Sequence, residues 1–578
     1  MANKLELTWY GKENEIKVEP RILIEDKNLS YSRETTGLFN EATFDNILIH
    51  GDNLLALKAL EKDYTGKIKC IYIDPPYNTG SAFEHYDDNL EHSIWLSLLK
   101  PRIEILYNLL SPDGLLFVQI DDNEQAYLTV MLDEIFGRTN RVNTICVKMS
   151  EPTGVKMAHV KKRMPKMKEY LLVYKKENID LNIVKIPKDK WDEEYKLVML
   201  GISQKDIEYV KEVMNNEEVQ SEDIYKADSL LKNVTFMSID EVMRMEGIAI
   251  NKDNKNKFRY NNAFRIVRDV ATTGGSKKIA DEKRKTTLNN AFLIKTPKNK
   301  IYLIKNGYNL SSEQPRIKLL FADDYLMQNP GDLWTDISTT GLESEGGVVF
   351  KKSKKPERLI QRCIEISSKP GDWVLDSFLG SGTTCAVAHK MKRRWIGIEM
   401  GEQAYTHCKV RLDKIIEGTE QGGITKEVNW QNGGGYKFYE LAPSLVNIDS
   451  LGEPVINKEY NADMLASAVA LHEGFKYSPD TKCFWKQSKS NENSYLFVTT
   501  NIVTDALVKE IVSQMADDEF LIIACKSFEK SAVNISDKIK IKKIPQMLLG
   551  KCEFGKDNYN LNIINPPVYE DEEDEDNE

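Results

Sequence analysis

No stretch of this sequence approaches the roughly 18 consecutive apolar residues that would cross a bilayer, so a membrane-spanning reading is set aside. Met1 to Lys12 carries no signal-peptide pattern. The eight cysteines (Cys70, Cys146, Cys363, Cys385, Cys408, Cys483, Cys525 and Cys552) are scattered, with no Cys-x-x-Cys pair. Zinc ribbons and disulfide frameworks are therefore poor readings, and reduced thiols in a cytosolic chain are expected. There is no cluster with metal-ligand spacing, no P-loop and no convincing nuclease cluster; Pro479-Asp480-Thr481-Lys482 is too bare to count. What is present is the composition of a globular protein, 41% hydrophobic and 29% charged, in a chain of 578 residues. That length is too great for one core, so two to four domains are expected.

The most informative stretch is Asp74-Pro75-Pro76-Tyr77. It follows an apolar run, Ile71-Tyr72-Ile73, that reads as a buried strand. Two prolines stop the ladder, because they supply no N–H and fix the backbone. A carboxylate and an aromatic ring are thus held on a stiff bend at a strand's carboxyl end, where open α/β sheets bind ligands. The carboxylate can accept hydrogen bonds from an exocyclic amine and the ring can stack on a flat heterocycle. The pair suits a planar amino-purine or amino-pyrimidine.

A second motif, Val374-Leu375-Asp376-Ser377-Phe378-Leu379-Gly380-Ser381-Gly382-Thr383-Thr384, reads as a strand, a glycine turn and a helix beginning near Thr383. A phosphate-binding P-loop would need a Lys before the final Ser/Thr. A dinucleotide fingerprint would want a third Gly where Cys385 stands. The remaining reading is a loop that holds S-adenosylmethionine. Trp395-Ile396-Gly397-Ile398-Glu399 supplies a second strand, and Glu399 follows at the spacing of about 20 residues from which an acid reaches ribose hydroxyls.

With both motifs in hand, the chain resembles an amino-methylating DNA methyltransferase of the β group, in which the Asp-Pro-Pro-Tyr block precedes the cofactor block and a target-recognition region lies between. His50-Gly51-Asp52-Asn53 resembles the block whose acid approaches the cofactor's adenine, and Lys355-Pro356 with Glu357 to Ser367 the block lining the methionine end. Asn78-Thr79-Gly80, Trp95-Leu96 and Gly114 to Asp122 continue the pattern. The resemblance covers most of residues 45–150 and 345–415. It is nearest to the modification subunits of type III restriction systems. It implies Asp74, Pro75, Pro76 and Tyr77 as the catalytic set. It implies Asp52, Asp74, Lys355, Asp376, Phe378, Gly380, Gly382, Thr383 and Glu399 around S-adenosylmethionine. It also implies double-stranded DNA as substrate, a homodimer, a separate helicase-nuclease restriction subunit and the cytoplasm of a prokaryotic cell. Asp at the first position usually marks adenine N6 in this family, Ser cytosine N4. Cytosine N4, a solitary methyltransferase, an RNA or protein-amide methyltransferase and a non-catalytic DNA-binding subunit are the alternatives.

Net charge is −10, yet residues 251–307 hold 15 Lys/Arg against 4 acids, and the acids pile up in Glu570 to Glu578. The basic stretch suits phosphate contact, and Arg259, Arg265, Arg268, Lys277 and Lys278 are its candidates for phosphate or base contacts. Strand–helix alternation over 41–150 predicts a parallel, doubly wound sheet of Rossmann-like α/β type. The expected divisions are an N-terminal arm (1–40), a catalytic half (41–150), a target-recognition insert (151–345) and a cofactor-binding half (346–435). An α+β C-terminal domain for dimerisation or partners (436–565) and an acidic disordered tail (566–578) follow. Ser111-Pro112-Asp113-Gly114 reads as a turn, a helix from about Glu124 to Phe136 as ending at Gly137, Tyr170 to Tyr174 as a strand of the insert, Thr272 to Ser276 as a mobile loop, and Asn432 to Gly435 as a flexible break. Asn565-Pro566-Pro567-Val568 lacks the aromatic and reads as linker.

The chemistry such a site would perform needs the base swung out of the duplex at a cost of a few kcal/mol. Stacking on Tyr77 would return about 1–3 kcal/mol. Asp74 and the Pro75 carbonyl would accept the amine hydrogens, aiming the nitrogen lone pair at the sulfonium methyl. Positioning and electrostatics would supply most of the acceleration, with no metal required.

Overall fold

The computed structural model describes residues 6–557 and 559, apart from 15, 34–44, 78–91, 151–163, 165, 189, 217–218, 340, 351–353 and 491–492. Asn78-Thr79-Gly80, the Asn565-Pro566-Pro567-Val568 stretch and the acidic tail lie outside the described residues. The chain divides into two units, one of residues 1–183 with 331–578 and one of Val184–Pro330. Among the described residues no helix is long and apolar enough to cross a membrane.

The larger unit is built on a ten-stranded sheet. Its elements in chain order are β1 (Leu23–Arg33), β2 (Asn46–His50), α1 (Asn53–Tyr64), β3 (Ile68–Ile73), α2 (His92–Leu109), β4 (Leu110–Ile120), α3 (Gln125–Leu132), β5 (Arg141–Lys148) and β6 (Lys168–Lys175). After the second unit come β7 (Leu333–Trp334), α4 (Glu357–Ser367), β8 (Trp373–Asp376), α5 (Thr383–Lys390), β9 (Arg394–Glu399), α6 (Val410–Glu417) and β10 (Gly434–Leu441). The spatial order is β1-β10-β2-β9-β8-β3-β4-β6-β5-β7. From β10 to β4 all neighbours are parallel, while β6 runs antiparallel to both β4 and β5. This is the Rossmann-like sheet in permuted chain order. The crossover through α5 leads from β8 outward to β9, and that through α2 leads from β3 the other way to β4. The seam between β8 and β3 is thus the topological switch point, where such sheets open a ligand crevice.

The central strands are apolar runs, buried on both faces as parallel strands must be. Ile71, Ile73, Leu116, Val118, Leu375, Ile396 and Ile398 pack against α1 and α2 on one side. Cys70, Tyr72, Phe117, Val374 and Trp395 pack against α4, α5 and α6 on the other. The β2–α1 junction is sharp because the Asp52 carboxylate accepts from the Leu54 and Leu55 amides, capping α1.

Several expectations are corrected. Ser111 to Gly114 is no free turn but a bulge inside β4: Ile68 pairs with Leu110 and Cys70 with Leu115, so the extra residues are absorbed in the ladder. The helix expected to reach Phe136 leaves α-geometry after Leu132 and ends as a π-turn, Asp133–Gly137, with Gly137 at φ 86°. Residues 168–175, assigned to the insert, are the main sheet's β6, and residues 23–33, assigned to an arm, are its edge strand β1. Thr272 to Ser276 is not a loop throughout, since a helix, Gly274–Arg284, begins inside it and buries Ala280 beside Phe292 and Ile294. Asn432 to Gly435 is not a break. Gly434 and Gly435 start β10, paired with Arg33 and Ser32. Glycine is needed there for close approach, because a Cβ on Gly435 would fall 2.6 Å from the Ser32 Cβ.

The second unit stands by itself on a six-stranded antiparallel sheet ordered 291–295, 301–305, 316–321, 266–271, 197–200 and 235–238. Helices Gln204–Asn215 and Ser221–Leu230 cover one face through Ile207, Val210 and Ala227. It is shorter than the 151–345 interval expected for an insert. Residues beyond β10 add a five-stranded sheet with the helices Ala462–His472 and Asp505–Gln514.

A side chain at Gly435 should detach the edge strand without unfolding the centre. Gly435→Val is expected to give fast amide hydrogen exchange across residues 23–33 while β3 and β8 stay protected; uniform loss of protection would contradict this account.

Candidate active site

Leu375 of β8 pairs with Ile71 of β3, so Asp376, the last residue of β8, and Asp74, which follows β3, come out at the same edge of the sheet. One cavity is lined by Asp74, Pro75, Pro76 and Tyr77 from the first motif, by Asp376, Phe378, Gly380 and Thr383 from the second, and by Lys355 ahead of α4. Tyr72, Glu169 and Phe350 also line it. The prolines aim Asp74 and Tyr77 inward, and the buried Trp95 indole of α2 donates to the Pro76 carbonyl at 2.7 Å, fixing the turn from behind.

Four polar side chains meet in this cavity. The Tyr77 hydroxyl lies 2.7 Å from Asp74 Oδ1 and 2.9 Å from Glu169 Oε2, with one proton to share between the two acceptors. Lys355 Nζ lies 3.3 Å from Asp74 Oδ2 and 3.1 Å from Glu169 Oε2, and 2.9 Å from the Tyr77 oxygen. The Gln119 amide also donates to Glu169, and the Tyr72 hydroxyl donates to Gln119. Burial opposes charge on Glu169, but the Lys355 ammonium and these donors outweigh it and hold its carboxyl below the ordinary range. Burial opposes charge on Lys355 too, and Asp74 and Glu169 more than offset it, so the ammonium persists. Asp74 is the group left near titration. Burial, with the Glu169 charge adding to it and Lys355 opposing, pushes it up to about 6.

The glycine loop is held as tightly. Gly380 and Gly382 have φ of 56° and 80°, a region that favours glycine. Asp376 accepts from the Phe378 amide at 2.9 Å and the Thr384 hydroxyl at 2.5 Å, and burial pushes its carboxyl up to about 7. Glu399, at the end of β9, accepts from the Gly380 amide at 2.7 Å and the Gly401 amide at 2.9 Å. Beneath the loop lies a fully buried ionic cluster. Arg411 donates to the Ser381 carbonyl at 3.3 Å, the Thr383 hydroxyl at 2.8 Å and Glu357 at 2.7 Å. Lys390 pairs with Glu357 at 2.8 Å and Glu420 at 2.6 Å.

Not every expected site residue faces the cavity. Gly382 N-caps α5 and packs on Cys408, outside the lining. Glu399 likewise stands behind the loop rather than in the wall. Asp52 is corrected outright: it caps α1, pairs with the buried Arg102 at 3.4 Å and accepts from the Tyr559 amide at 3.2 Å, so its oxygens are committed inside the fold. In the second unit Arg259 is also corrected. It is 6% exposed, pairs with Glu193 at 2.7 Å and lies over the Trp191 ring, which makes it an internal brace rather than a surface contact. Arg265 pairs with Glu246 at 3.2 Å, Arg268 with Glu194 at 2.6 Å and Lys277 with Asp281 at 2.8 Å, while Lys278 is exposed.

Glu169, Arg411 and Phe350 were missed. Glu169 is the second residue of β6, and a residue near a strand's start reaches the carboxyl edge of the sheet only if the strand runs antiparallel to its neighbours. A lone acid leading into Tyr170 to Tyr174 was the available signal.

A family model described as DNA methylase matches residues 68–409. The chain is 38% identical over 419 residues to the probable type III restriction-modification enzyme HindVI Mod subunit of Haemophilus influenzae, an alignment covering 69% of this chain and 54% of that protein. It is 29% identical over 447 residues to the type III restriction-modification enzyme EcoPI Mod subunit of Escherichia phage P1, covering 66% and 60%. The type II methyltransferase M.KpnI of Klebsiella pneumoniae is 26% identical over 358 residues, covering 60% and 77%. The chain thus spans little more than half the length of the first two relatives.

Removing one member of the cluster under the loop leaves charge buried without its partner. Arg411→Met is expected to destabilise the protein by about 3–5 kcal/mol, read as a lowered thermal midpoint. A midpoint equal to that of the wild type would deny the cluster its role in holding residues 380–383.

Proposed function

The chain belongs to the DNA methylase family, and from that premise we propose that it transfers a methyl group from S-adenosylmethionine to the N6 amine of an adenine flipped out of double-stranded DNA. The observation that carries the proposal is the single cavity shared by the Asp74 turn and the Gly380 loop.

The residues present fit that cofactor. Three carboxylates, Asp74, Glu169 and Asp376, face one ammonium, Lys355, in the cavity wall, a balance that favours a cationic ligand such as a sulfonium. The loop has glycines for close approach and no lysine for phosphate. When bound, S-adenosylmethionine supplies the activated methyl group. The chain's own residues do the rest. Tyr77 stacks on the flipped ring, and Asp74 with the Pro75 carbonyl accepts the amine hydrogens and so directs the nitrogen lone pair. Trp95 keeps the turn from yielding. A rigid set of acceptors needs no reorganisation as charge develops on the amine. Lys355, as part of the wall, lets two buried carboxylates stay close together.

The second unit is proposed as the module that reads the DNA sequence, with Arg265, Arg268, Lys277 and Lys278 as its phosphate or base contacts. Its basic balance supports this. The relatives named as Mod subunits support a modification subunit of a type III-like restriction-modification assembly, with cleavage on another polypeptide. A homodimer belongs to the same proposal, and light scattering of the purified chain tests it.

The test of activity is sequencing of modified bases in a host expressing the chain. A single N6-methyladenine motif is expected with the wild type and none with Asp74→Ala; methylation that survives Asp74→Ala, or methyl groups on cytosine N4, would overturn the proposal. The pH dependence has a definite sign. Protonation of Asp74 converts an acceptor into a donor, so the methylation rate at saturating substrates should fall as pH drops through about 6. A rate flat from pH 5 to 8 would remove Asp74 from the step. Lys278→Ala should weaken DNA binding evenly across sequences and lower the salt slope by about one.

A further inference from the structure

Asp74 is engaged on both sides before any substrate arrives. Its Oδ1 accepts from Tyr77 and its Oδ2 faces the Lys355 ammonium. An amine that takes this carboxylate to itself displaces a phenol and a cation, and one that shares it finds a site on each oxygen already filled. Leaving Lys355 without an anion in a buried site would be costly, as would stranding the Tyr77 hydroxyl. The cavity holds an answer. Glu169 Oε2 already lies within reach of the same two donors, at 3.1 Å from Lys355 and 2.9 Å from Tyr77. Glu169 is itself anchored from below by Gln119, which Tyr72 holds in turn. These three residues sit on the adjacent strands β3, β4 and β6, so the acceptor stands on rigid backbone.

We propose that Glu169 is a positioning residue that takes over Lys355 and the Tyr77 hydroxyl when the target amine enters, releasing the Asp74 carboxylate to that amine. Neither donor then changes its hydrogen-bond count by more than one, and no charge is left unpaired. The same exchange pins the Tyr77 ring from its hydroxyl end while its face receives the base. Glu169 touches no reacting atom, and no bond is made or broken by it. The inference rests on the methyltransferase reading above.

The charge on Glu169 is what makes it a competing acceptor, so Glu169→Gln should leave Lys355 fastened to Asp74. Single-turnover methylation of a duplex carrying the motif found by modified-base sequencing, at saturating S-adenosylmethionine, is expected to slow by about 10- to 100-fold. S-adenosylmethionine binding by calorimetry sets the concentration that saturates each variant, so that the rate reports the transfer step and not the loss of one of the three carboxylates facing the cofactor. The double variant Glu169→Gln with Lys355→Met, assayed at pH 8.5 to keep Asp74 ionised, should be faster than Glu169→Gln alone, because the competing cation is gone. A purely structural Glu169 predicts the opposite, two losses that add. Glu169→Asp, which keeps the charge on a shorter stem, should recover part of the rate. The proposal is overturned if Glu169→Gln methylates at the wild-type rate, if the double variant is no faster than Glu169→Gln, or if the Asp and Gln variants are equally slow. A wild-type chain that methylates nothing defeats the proposed function instead, and the two failures are told apart by that control.

Discussion

The pairing of β8 with β3 is the contact on which the rest of this molecule depends. Two four-residue strand segments, Trp373 to Asp376 and Ile68 to Ile71, lie in parallel register. β8 ends in Asp376 and Asp74 follows directly after β3, so both acids stand at the same edge of the sheet. Everything chemical about the protein follows from that juxtaposition: the stiff Asp74 turn, the Gly380 loop, and the crevice between them at the point where the two crossovers diverge. Ladder hydrogen bonds and apolar burial on both faces hold the seam, which is why the acids can be close without prying it apart.

Charge is handled differently on the two sides of the seam. On the glycine-loop side, cations and anions are matched and sealed, with Arg411, Lys390, Glu357 and Glu420 between 0% and 4% exposed. Such a cluster contributes geometry more than stability, since desolvation consumes most of its attraction. On the turn side the charges are unmatched, with Lys355 facing both Asp74 and Glu169. Burial raises the proton affinity of Asp74, and the neighbouring Glu169 charge adds to it against the pull of Lys355. The matched cluster shapes a loop; the unmatched one is kept ready for a ligand.

The sequence was legible where one residue type has one use. Two prolines after an apolar run announced the turn, and glycines followed by Thr383 announced the loop. The parallel, doubly wound character of the sheet was legible because strand and helix alternate. What escaped depended on partners far along the chain. Gly435 looked like a break and is a tight contact with Ser32, visible only once β1 is known to lie alongside. Asp52 matched a motif, yet its carboxylate serves a helix cap and Arg102, a choice that local sequence cannot distinguish from ligand contact. Arg259 counted as surface charge by composition and is walled in by Trp191 and Glu193. Glu169 reached the cavity only because β6 reverses direction, and strand direction leaves no mark on six or eight residues.

The permuted strand order also bears on how the molecule is made. Trp373, which opens β8, is translated 300 residues after Ile73 closes β3. At ~5–20 residues per second the ribosome takes roughly 15–60 s to deliver it. Through that interval β2 and β3 have emerged but the two strands that lie between them, β9 and β8, have not, and one apolar edge of β3 waits unpaired. A nascent chain in that condition offers a template for wrong pairing, and the sheet closes only once its last three strands, β8, β9 and β10, have been made.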